Sequence, residues 1–106
     1  MSLRRASYRR EGRLVSRRAR GLRAGSVRLR RGQIMDWHST RHREELLIAL
    51  RGRVCVEVRA GTGGRRPRSI VLGAGECLWL SADIMHRVVN TSRASAHYLY
   101  VTGDGA

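Results

Sequence analysis

Four histidines, His38, His42, His86 and His97, are the side chains best suited to chemistry in this sequence. Glu44 and Glu45 follow His38 within seven residues, and His86 lies 41 residues beyond Glu45. Two imidazoles and a carboxylate brought to one point make an N,N,O site that suits Fe, Mn, Zn, Ni or Cu as a divalent ion. For His42, His97 and Glu44 the plainer reading is a surface role, with Glu44 solvated beside Arg41 or Arg43. Besides these groups, Tyr98, Tyr100 and His97 are the acid–base candidates, and strand parity sets His97 opposite the two tyrosines. Of the tryptophans, Trp79 reads as core, while Trp37 fits either core or a ligand-lining ring. Cys55 and Cys77 read as small buried or half-buried hydrophobes, and Asn90 as a hydrogen-bonding strand or turn residue.

Strands must position these groups. Arg53–Arg59 alternates, with Val54, Val56 and Val58 on one face and Arg53, Cys55, Glu57 and Arg59 on the other, the period of a strand with one covered side. Glu45–Leu50 reads as a mostly apolar strand ended by the Arg51-Gly52 turn, although Thr40–Leu50 also has helix-forming composition. Ser26–Leu29, Ser69–Leu72, Cys77–Leu80, His86–Asn90 and His97–Thr102 complete the expected strands. Gly61-Thr62-Gly63-Gly64 is expected as a hairpin tip, and Gly73-Ala74-Gly75 as a turn. Short β segments separated by glycine-containing turns predict an all-β sandwich or barrel.

The charge divides the chain in two. Of the 106 residues, 22 are basic, every one an Arg, against eight acids, for a net charge of +14. Residues 1–31 carry 12 of the arginines and one glutamate. This predicts a basic flexible arm at residues 1–25 and a folded body at residues 26–106. Such an arm suits non-specific contact with nucleic acid, and its binding would depend steeply on salt. An all-Arg composition also fits a coding bias. The longest apolar run, Leu46-Leu47-Ile48-Ala49-Leu50, is far too short for a membrane span. No apolar h-region follows the arginines, so a cytoplasmic place is expected rather than an exported one. Two cysteines make no disulfide framework. A body of this size buries little surface alone, which favours a homodimer or a metal as added stabilisation.

Two motifs make the reading specific. Gly32, His38, Thr40, Glu45 and Gly52 form one spaced set, and Gly75, Ser81, Asp83, His86 and Asn90 a second. Over residues 26–102 the chain resembles the cupin superfamily, whose motifs run Gly-His-His-Glu-Gly and Gly-Pro-Gly-His-Asn at these intervals. Thr40 stands at the second-histidine position, and Ser81 and Asp83 stand where the family has Pro and Gly. The resemblance implies a small double-stranded β-helix, the jelly-roll barrel. It places His38, Glu45 and His86 at three of the four metal-ligating positions. Thr40 is a poor ligand, so a two-His, one-Glu set with an open coordination position is implied, with His42 of the right strand parity to substitute. The family includes dioxygenases, isomerases, epimerases, storage proteins and sugar-binding transcription factors, so fold alone does not select an activity. The expectation is a divalent-metal cupin acting on a small molecule. The alternative is a non-catalytic ligand-binding or sensing module without metal, and the third reading is a polyanion-associated protein working through its arm.

Overall fold

The computed structural model describes residues 2–60 and 66–104. Nine strands and no helix occur among them: β1 (Gly12–Arg13), β2 (Leu22–Leu29), β3 (Ile34–His38), β4 (Arg43–Arg51), β5 (Arg53–Ala60), β6 (Arg68–Gly73), β7 (Cys77–Leu80), β8 (Ile84–Val89) and β9 (Ala96–Asp104). They form two antiparallel sheets, one in the order β1-β2-β9-β4-β7 and the other β3-β8-β5-β6. The protein is an all-β jelly roll. Among the described residues no helix is long and apolar enough to cross a membrane.

Side-chain alternation builds the space between the sheets. In β5, Val54 and Val56 are buried while Cys55 and Glu57 turn outward and remain partly exposed. In β4, Glu45, Leu47 and Ala49 point inward, and Leu46 and Ile48 are half-buried on the outer face. The helix-forming composition of Thr40–Leu50 therefore yields to the two-residue period, which lets one strand put apolar groups on both faces. Leu47, Val56, Val88 and Tyr98 pack together at the centre of the core. Each fully buried apolar side chain of this size contributes about 1.5–3 kcal/mol.

Most expected strands differ from those observed only at their ends, where flanking residues join the ladders. The largest extension is at the start: Ser26–Leu29 begins four residues earlier, at Leu22, because Leu22–Leu29 pairs along its whole length with β9. Gly12 and Arg13 then pair with Ser26 and Gly25. The expected hairpin tip Gly61-Thr62-Gly63-Gly64 lies outside the described residues. At the β4–β5 turn, Gly52 has φ +73° and its α-carbon faces the Ser95 carbonyl and Ala96. A side chain there would be strained by both backbone and neighbour.

Three expectations about packing are corrected. Trp79 is not core: it is 60% exposed, since β7 is an edge strand and its odd positions face outward. Its indole N–H donates to Glu44 at 3.1 Å. His97 is not a surface imidazole: it is 7% exposed, covered by Tyr8 and bonded to the Ser26 hydroxyl. Cys77 is not a buried or half-buried hydrophobe: it is exposed, on the same outward positions of β7 as Trp79, whereas Cys55 is half-buried, and both are free thiols. Asn90 is fully buried, donating to the carbonyls of Leu29 and Ala94 at 2.8 Å each and accepting from the Ser92 N–H.

Candidate metal centre

The register brings the two motifs together. His38, at the end of β3, is the direct cross-strand partner of His86 in β8, and their ring centroids are 4.3 Å apart. Glu45 comes from β4 in the facing sheet, where it pairs with Thr102 of β9. One donor atom from each of His38, Glu45 and His86 lies within 4.8 Å of the others. Glu45 and His86 are buried, and His38 is half-buried.

Backbone carbonyls fix both imidazoles in one tautomer. His38 Nδ1 donates to the Asp36 carbonyl at 2.7 Å, and His86 Nδ1 to the Ile84 carbonyl at 3.0 Å. Because a carbonyl only accepts, each Nδ1 carries a proton, which leaves Nε2 of a neutral ring as a lone pair. His86 Nε2 lies 3.2 Å from Glu45 Oε2, yet the two are not aligned as a hydrogen bond, and both atoms are buried without a hydrogen-bond partner. Two electron-pair donors facing each other in a buried place require a cation between or beside them, either a proton or a metal.

Burial pushes the His86 imidazole down, but the Glu45 carboxylate and the Ile84 carbonyl outweigh it and hold the group above its ordinary value.

No protein-family model matches the sequence, and no curated protein does. Solved structures do. The Schizosaccharomyces pombe Cnp3 cupin domain superposes with a TM-score of 0.74 at 14% identity, covering 89% of this chain and 59% of that one. The fold is that of a cupin domain. A structure of oxalate oxidase superposes with a TM-score of 0.70 at 21% identity, over 80% of this chain and 43% of its own. The Drosophila melanogaster CENP-C cupin domain gives 0.68 at 16%, over 76% and 56%. The chain thus spans about half the length of these proteins.

Beside the three donors, the cupin barrel opens into a cavity of about 610 Å³, lined among others by Tyr98, Tyr100 and Thr102 of β9. Tyr98 is 3% exposed, and burial, then the nearby Glu45 and Tyr100, push its phenol well above the usual tyrosine value. It stays a neutral O–H at any physiological pH. The expected parity is observed: His97 lies on the opposite face, in a separate cleft with Tyr8, Arg28 and Arg51.

Two residues near the donors do not join them. Thr40 borders the cavity, but its hydroxyl donates to the Arg43 carbonyl at 2.7 Å. His42 does not substitute for it: its side chain is 74% exposed and its Nε2 lies 3.5 Å from Asp104 across the strand ends. Arg41 has φ 57° in the loop before β4, and its carbonyl accepts from the Asp83 N–H at 2.7 Å. Asp83 itself has φ 62°, so it keeps a left-handed backbone where the cupin motif has glycine. Sequence reasoning missed Arg43 and Thr102 as cavity residues. The signal was available in β4, where Arg43 shares the inward parity of Glu45.

Proposed function

We propose that this cupin barrel holds a divalent metal through His38, Glu45 and His86 and binds a small molecule in the adjoining cavity, as a metal-dependent enzyme does. The observation that carries the reading is the buried, unpartnered pair of His86 Nε2 and Glu45 Oε2. The residues fit the group: two tautomer-fixed imidazoles and a carboxylate form an N,N,O set. A bound ion would supply Lewis acidity toward an oxygen of the small molecule. The chain's own parts are plain: the Asp36 and Ile84 carbonyls orient the rings, Tyr98 offers a neutral O–H, and the two sheets exclude water from Glu45.

Thermal unfolding with Mn, Fe, Co, Ni, Cu and Zn, together with elemental analysis of untagged protein, tests this. An ion bound only by the folded chain raises the melting temperature by linkage. His86→Ala is expected to abolish the rise, whereas His42→Ala leaves it intact. No bound metal and no stabilisation by any of the six at neutral pH would reject the metal reading. The cavity would then serve the second one, a metal-free ligand-binding module, which draws support from Thr40, whose hydroxyl is committed to the backbone in place of a fourth ligand.

A further inference from the structure

Four buried side-chain N or O atoms among the described residues have no hydrogen-bond partner: Glu45 Oε2, His86 Nε2, Arg43 Nη1 and Thr102 Oγ1. The first two are accounted for by a cation. The other two are donors, and both residues line the same 610 Å³ cavity. They are also neighbours of the ligand set in register, since Glu45 faces Thr102 across β4 and β9 and Arg43 precedes Glu45 by one inward position. Arg43 is anchored by Nη2, which donates to the Arg20 carbonyl at 3.1 Å, so Nη1 is held rather than free to turn to water. A buried guanidinium N–H and a buried hydroxyl left unpaired each carry a desolvation cost that a bound acceptor would remove.

The charge of the cavity says which acceptor. Arg23, Arg41 and Arg43 line it, with Glu45 as the one acidic side chain among the described lining residues. With Glu45 engaged by a cation, the walls are strongly positive. Resting on the metal reading above, we propose that Arg43 and Thr102 form an oxyanion subsite next to the metal ligands and that the small molecule bound there is a carboxylate. The Arg43 N–H, the Thr102 hydroxyl and the cation can meet both oxygens of a carboxylate, while a phosphate dianion, with three strongly accepting oxygens, asks for more donors than these.

The test is calorimetric titration of the full chain, metal-free and Zn-loaded, with malonate, succinate and benzoate, their uncharged amides, and inorganic phosphate. At least one carboxylate is expected to bind ten-fold or more tighter than its amide and tighter than phosphate. Arg43→Gln should weaken that carboxylate at least ten-fold and Thr102→Val several-fold, with Arg43→Lys intermediate because it keeps charge but loses the fork. Zn affinity, read by competition with a chromophoric chelator, should change less than two-fold in Thr102→Val, which also covers the case in which Arg43→Gln fails to fold. Carboxylates no tighter than their amides, phosphate tighter than every carboxylate, or full affinity in both variants would overturn the subsite. If Zn does not bind but malonate does, with the same dependence on Arg43 and Thr102, the subsite stands and the metal reading falls. If Zn binds and no carboxylate does, the reverse holds.

Discussion

At the scale of single residues, two buried histidines pull stability in opposite directions with pH. Burial first, then Arg28, holds His97 below its ordinary value, while His86 is held above it. A histidine whose folded pKa is depressed contributes stability that is present above the unfolded pKa of about 6.5 and lost as pH falls below it. One whose folded pKa is raised contributes stability fully present below about 6.5 and lost as pH rises through the folded value. In the metal-free protein, urea unfolding from pH 8 to pH 5 should therefore show His86 acting above pH 6.5 and His97 below it. His97→Gln is expected to flatten the acid side relative to the parent while leaving the alkaline side alone. An unchanged acid slope in that variant would show that His97 is not the group responsible.

At the scale of elements, one wall of the cavity depends on how a ring of β9 lies across β2. Gly25 pairs with Tyr100, and a β-carbon on Gly25 would overlap the Tyr100 ring. The ring lies over the glycine because there is no side chain to hold it off, and from there it borders the cavity. Gly25→Ala should cost about 1–3 kcal/mol through overpacking. It should also change the near-ultraviolet dichroism of the tyrosines. Parental stability in urea, with an unaltered tyrosine signal, would mean that the ring is not held by this contact. The same strand pair receives the chain before it: the Ser26 hydroxyl donates to the Tyr8 carbonyl at 2.5 Å, and Leu14 N–H donates to the Ala24 carbonyl at 2.8 Å. Part of the arginine-rich segment is thus laid against the outer face of the five-stranded sheet.

At the scale of the whole molecule, two surfaces invite a partner, one apolar and one basic. On the outer face of the five-stranded sheet, Leu46 with Val101 and Ile48 with Leu99 form half-buried rows running toward the exposed Trp79 and Cys77. A homodimer through that face is expected, and sedimentation at micromolar concentration should give twice the 12.0 kDa chain mass. Trp79→Glu should shift it to monomer, and a single monomeric species for the parent would refute the dimer. The second surface is the arginine-rich start, with nine arginines in residues 1–24. It is expected to bind unrelated DNA duplexes without sequence preference. Replacing Arg4, Arg5, Arg9 and Arg10 by Gln should weaken binding and flatten the slope against log salt by up to about 3–4. Equal affinity and slope in parent and variant would show those arginines to be inert.

Local patterning determined the β class and the inward face of β5, because a two-residue period is written along the chain, and the motif intervals singled out His38, Glu45 and His86, which the fold brings within 4.8 Å of one another. Tertiary structure decided what depends on how strands meet. Trp79 is exposed because β7 lies at an edge, and His97 is buried because Tyr8 and Ser26 close over it. His42 stays out of the donor set because it is exposed at the strand end, beside Asp104. The orphaned donors of Arg43 and Thr102 became visible only with the register of β4 against β9. A sequence specifies which residues alternate; whether a buried polar atom finds a partner depends on distances between strands far apart in the chain, and only the folded molecule sets those.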